Sequence, residues 1–193
     1  MTFDIKHADQ LSRGELLLRT LFGWIYIYLP HGIALLFVGL WGAILGFIAF
    51  WSILFTGRYP QSFFEFHVGL LRWQARINAR AYNMADGYPA FGVNSSDPAV
   101  TLDVPYPESL SRGLLLVKLF FGWLYVGIPH GFVLAFLTLG ALVCLFIGWW
   151  AVLFTGRFPA SMQTFIVGYM RWTTRVTLYL QNMTDTYPPF SLD

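Results

Sequence analysis

Two histidines and a recurring set of arginines are the side chains best suited to chemistry. His31 and His130 each sit in a Pro-His-Gly triplet, Pro30-His31-Gly32 and Pro129-His130-Gly131. Equivalent histidines in a duplicated unit could face each other to bind a metal or relay a proton. The plainer alternative is that each caps a helix or bonds a lipid headgroup beside its proline. Two imidazoles with no nearby cysteine or carboxylate fall short of a zinc ligand set, so neither metal nor cofactor is expected. The second set is Arg58, Arg72 and Arg76, which returns as Arg157, Arg171 and Arg175. Guanidinium forks match phosphate geometry. Paired pockets for anionic lipid are therefore one reading; ordinary anchoring, or pairing with Asp86 and Asp185, is the other. No Gly-rich phosphate loop, nucleophile elbow, HExxH or CxxC pair is present, and no basic-aromatic pattern suggests a nucleic-acid groove. No catalytic residue is assigned, and an enzyme is not expected.

These residues recur because the chain is said twice at an offset of 99 positions. Residues 11–91 align with 110–190 without a gap, and about 38 of the 81 positions are identical, far beyond shared composition. Residues 1–10 read as a tail and 92–109 as a linker rich in turn-forming Asn, Ser and Pro.

With 56% hydrophobic, 19% aromatic and 11% charged residues, and a mean hydropathy of +0.57, the chain is poorer in charge than soluble domains, which carry roughly 25%. An all-α integral membrane protein is expected. The single cysteine, Cys144, excludes a disulfide framework. The start lacks the basic-then-apolar order of a cleavable signal, so membrane entry is expected from the apolar segments.

No fixed charge lies between Arg19 and Arg58, or between Lys118 and Arg157. As a straight helix each gap would extend about 57 Å, nearly twice the roughly 30 Å hydrocarbon core. The Pro-His-Gly triplet is where the chain would turn. The expected repeat is a transmembrane hairpin (13–55 and 112–154), giving four spans in all. In the rival arrangement 13–29 and 112–128 lie in the interface. Arginines flank the apolar block and none sits at the triplet, so a hairpin places them all on one side, the cytoplasm by the positive-inside rule. This makes the chain multi-pass with termini and linker cytoplasmic.

Residues 61–84 and 160–183 read as amphipathic helices. Phe63, Phe66, Leu70, Trp73 and Ile77 share one face, while Glu65, Arg72, Arg76 and Arg80 share the other. The helix would suit an anionic membrane surface, or could pack its stripe on the hairpins.

The motifs resemble a bacterial membrane family, domain of unknown function 4389, in two tandem copies. The resemblance rests on Pro30-His31, Phe55 to Pro60, Val68-Gly69 with Arg72-Trp73 and Arg76, and Asp86 with Tyr88-Pro89 and Phe91. The second copy supplies Pro129-His130, Phe154 to Pro159, Val167-Gly168, Arg171-Trp172, Arg175, Asp185, Tyr187-Pro188 and Phe190. It implies an integral membrane domain and no activity. The leading expectation is a non-enzymatic accessory or scaffold subunit of a larger bacterial inner-membrane complex. Its partners would be anionic lipids and other membrane subunits or further copies of itself. The alternatives are a lipid-binding or lipid-transport module using the arginines and a histidine-based metal or cofactor site.

Overall fold

The computed structural model describes residues 1–193 in full. Its elements are β1 (Thr2–Ile5), α1 (Arg13–Thr56), α2 (Gln61–Ala81), β2 (Val100–Asp103), α3 (Arg112–Thr155) and α4 (Ala160–Leu180).

The expected hairpins 13–55 and 112–154 do not form. Each neutral stretch is a single helix of 44 residues that passes straight through its proline. The physical reason lies one turn upstream, where Trp24–Tyr28 and Trp123–Gly127 adopt a π-helical turn. There the Leu29 amide bonds the Trp24 carbonyl, and the Ile128 amide the Trp123 carbonyl, five residues back. The widened turn makes room for the proline ring and asks no donor of the proline nitrogen. In apolar surroundings a helix keeps its backbone groups paired, which an open corner would not. The four-span arrangement falls with the hairpins.

One stripe of α1 is buried along its whole length: Leu16, Arg19, Gly23, Ile27, His31, Gly42, Leu45, Ala49 and Ile53. These positions follow the helical period and face α2. Everything else on α1, from Leu17 to Phe55, is dominated by exposed apolar side chains, and α3 repeats this from Leu116 to Phe154. Both long helices end in a left-handed glycine, Gly57 (φ 73°) and Gly156 (φ 72°), a conformation that costs glycine little. The chain reverses there, and α2 and α4 run back along their long helices. They end earlier than the amphipathic pattern suggests, at left-handed Asn83 and Asn182.

α2 is not an interfacial helix. Its Trp73–Ile77 face packs on α1, and its arginine face is covered by β2 and the segment after Tyr88, since Arg72 reaches the Leu102 carbonyl and Gly69 adjoins Val93. The molecule therefore has three layers: long apolar helices, then α2 and α4, then a polar layer of strands and loops.

The segments that precede the repeats cross over. β1 packs on α4 of the second repeat, and β2 on α2 of the first. The strands pair antiparallel, with Phe3 opposite Leu102 and Thr2 opposite Asp103. Thr2-Phe3-Asp4 and Thr101-Leu102-Asp103 are themselves offset by 99, so the duplication reaches back into the tail and linker. A pseudo-twofold axis passes between Phe3 and Leu102. The Leu11 amide bonds the Gly156 carbonyl at 2.7 Å, and the Leu110 amide the Gly57 carbonyl at 2.8 Å. Arg13 caps the Phe154 carbonyl. The start of each long helix thus lies beside the end of the other, and the two run in opposite senses. Core clusters mix both halves, as where Leu16 and Ala75 meet Val152 and Ile166.

Candidate functional site

The motif residues converge on a similar construction in each repeat. The Trp73 indole N–H donates to His31 Nδ1 at 2.8 Å, and Trp172 does the same for His130 at 2.8 Å. Ring contacts close the box: His31 lies 5.1 Å from Tyr88 and 4.8 Å from Phe91, and His130 stacks on Phe190 at 4.0 Å with Tyr187 at 5.3 Å. Both imidazoles are buried.

This geometry decides what the histidines can do. An indole has only a donor, so the Nδ1 lone pair is occupied and the proton of the neutral ring sits on Nε2. In repeat two that Nε2–H meets the Tyr187 hydroxyl at 3.1 Å, which donates on to the Tyr125 carbonyl at 3.1 Å. In repeat one Nε2 has no polar partner and faces the aromatic rings of the box. Neither ring offers a free lone pair, and each is enclosed in its own repeat rather than facing the other. No group of three or more His, Cys, Asp or Glu side chains is placed to hold a metal ion.

The arginines do structural work at backbone carbonyls. Arg76 donates to Ala90 (3.1 Å), Ser95 (2.6 Å) and Gly92, and Arg175 to Ser191 and Asp193. Burial pulls the Arg76 guanidinium below its ordinary pKa, with Asp97 opposing. Arg72 bonds the Leu102 carbonyl at 2.7 Å and Asp103 at 2.8 Å. Its mate Arg171 holds the Phe3 carbonyl at 2.9 Å and Leu192 at 2.9 Å. Four of the six arginines are hooks for backbone outside the helices, Arg76 and Arg175 at loop carbonyls and Arg72 and Arg171 at strand carbonyls. Only Arg58 and Arg157 stand exposed. They lie at the helix ends, each close in sequence to a cross-repeat bond that brings in Arg112 or Arg13.

Asp86 and Asp185 are structural, though their partners differ from those expected. Asp86 accepts from buried Arg19 at 3.2 Å and from the Ser12 amide at 2.7 Å. Asp185 accepts from Lys118 at 3.2 Å and the Ser111 amide at 2.6 Å. The construction has further members. Gly69 and Gly168 permit close approach, since a Cβ would meet the Val93 carbonyl at 2.7 Å and Leu192 at 2.8 Å. Arg80 pairs with Asp97 at 2.8 Å, both buried. Identity between the two copies was the available signal for the glycines. Arg80 lacked that signal, because its mate is Tyr179, and only its helical spacing from Arg72 and Arg76 marks it. A polar cleft of about 470 Å³ opens between α2, β2 and residues 93–97, with Glu65, Arg72, Asp97 and Asp103 on its walls. Arg72 pairs with Asp103 across it, Asp97 is held by Arg80 from outside the lining, and Glu65 accepts from Gln61.

These features define a duplicated helical protein with two helices long and apolar enough to cross a membrane, its motif side chains turned inward. The chain belongs to the family described as Domain of unknown function (DUF4389), whose model matches residues 14–92 and 116–191. No curated protein and no solved structure matches it.

Proposed function

We propose that this chain is a non-catalytic scaffold or accessory subunit of a bacterial inner-membrane complex, with its termini and polar layer on the cytoplasmic side. One observation carries the reading: the histidines and most of the arginines are consumed in holding the chain to itself, while the long helices leave an apolar surface uncovered on both repeats. A surface of that extent needs lipid or partner helices. The positive charges at its edge favour the cytoplasmic leaflet.

The test is gentle solubilisation from the native membrane, followed by native mass measurement. The expected result is a mass above the 22.1 kDa chain, with stoichiometric protein partners. A bare monomer across several mild detergents refutes the scaffold reading. The histidine-cofactor alternative would require the Nδ1 atoms to be freed from their indole donors. The arginine-pocket alternative keeps only Arg58 and Arg157.

A further inference from the structure

We infer that the long helices lie along one leaflet of an anionic bilayer rather than across the membrane. This deepens the membrane reading above and rests on it.

The first argument is the direction of the pseudo-twofold axis. In an antiparallel strand pair the local dyad is normal to the sheet. Along it lie, in order, the exposed side chains Thr2, Asp4, Thr101 and Asp103, the buried Phe3 and Leu102, then α2 with α4, and finally the apolar faces of α1 and α3. The molecule is polar at one end of its own symmetry axis and apolar at the other. That axis coincides with the bilayer normal if both repeats sit at one depth.

The alternative places charge where lipid cannot take it. α1 and α3 run in opposite senses, so if both crossed the membrane the dyad would lie in its mid-plane. The sheet would then sit at that depth with Asp4, Asp103 and the half-exposed Arg72–Asp103 pair directed outward. Each charge at the bilayer centre costs at least about 2.5–3.5 kcal/mol.

The second argument is length. The exposed apolar stripe from Leu17 to Phe55 extends about 57 Å at 1.5 Å per residue, against a core of about 30 Å. Laid flat, the stripe has no mismatch. Arg58 and Arg157, exposed at the rim beside stacked Trp51–Phe55 and Trp150–Phe154, suit the phosphates of the same leaflet.

The experiment places a single spin label at exposed Phe22, Phe37 or Phe47, each changed to Cys in a Cys144→Ala background. The full chain is reconstituted in vesicles of phosphatidylcholine and phosphatidylglycerol in equal parts, and label depth is read from oxygen and nickel collision rates. The expected result is one shallow depth at all three positions. Gly14→Cys and Arg58→Cys, exposed just beyond the two ends of the stripe, should both react with an impermeant thiol reagent from the same side. A depth maximum at position 37, with the two ends on opposite sides, overturns the in-plane placement while leaving the membrane reading intact. Water-like exposure at all three positions overturns both.

Discussion

The bond between Trp73 and His31 should be worth more than its packing, and the two repeats supply a matched pair of tests. Trp73→Phe keeps an aromatic ring in the box but leaves Nδ1 of a buried imidazole without its 2.8 Å donor. Leaving a buried polar atom unpaired costs about 1–3 kcal/mol, and the smaller ring adds about 1 kcal/mol of cavity. A loss of about 2–4 kcal/mol is therefore expected, lowering Tm by roughly 4–16 °C at 2–4 °C per kcal/mol. The cavity part survives when His31 is already leucine, whereas the hydrogen-bond part does not. A cycle of Trp73→Phe, His31→Leu and the double variant should thus give a coupling of about 1–3 kcal/mol, with the same sign for Trp172 and His130. The tyrosines should then separate the repeats. Tyr187→Phe removes two hydrogen bonds and should cost about 1 kcal/mol, while Tyr88→Phe, which removes none, should cost less than about 0.5 kcal/mol. Helical circular dichroism during melts in mild detergent reads all of these. Coupling near zero in both cycles would refute the assignment of the indole as the group that fixes the imidazole tautomer.

Further outcomes follow from other contacts. Gly69→Ala or Gly168→Ala forces a Cβ against the Val93 carbonyl or Leu192 and should cost about 1–3 kcal/mol, with faster proteolysis at residues 93–97 in the first case. Burial pushes the Tyr59 phenol from 10 up to about 12. The unfolded chain therefore ionises first, and stability present below pH 10 should fall by up to about 3 kcal/mol by pH 12. Tyr59→Phe, matching Phe158 in the other repeat, should flatten that limb in a pH series of melts. Arg19→Lys copies Lys118 and should cost less than about 1 kcal/mol, whereas Arg19→Leu strands Asp86 and should cost about 3 kcal/mol. Equal losses for the two would show that the buried cation is dispensable.

The duplication, the apolar stretches and the outline of α2 were legible because each depends on a regular period along the chain. The Pro30 turn was misread because proline and glycine signal a break only where the helix cannot widen. Trp24–Tyr28 widens it, and nothing in those five apolar residues announces a π turn. The strands were hidden because only Thr and Asp are identical between residues 2–5 and 101–104, and the prolines at 105 and 107 make that region look like linker. The arginines were read as phosphate forks because their spacing on a helix face is visible, while the loop carbonyls they satisfy are set by tertiary structure. His31 was identified as special, but its partner lies 42 residues away and its state is decided there.

The crossing of the leading strands has an evolutionary reading. Each half is completed by a piece of backbone belonging to the other, so a polypeptide carrying a single copy would leave its α2 bare of the strand that Arg72 holds. Two such polypeptides exchanging their first ten residues would rebuild the same object as a symmetric homodimer. Fusing them end to end then asks only that residues 92–99 bridge the halves. The present chain has the geometry of an ancestral dimer made permanent by gene fusion, free since then to let its two halves diverge, as His67 has from Ile166.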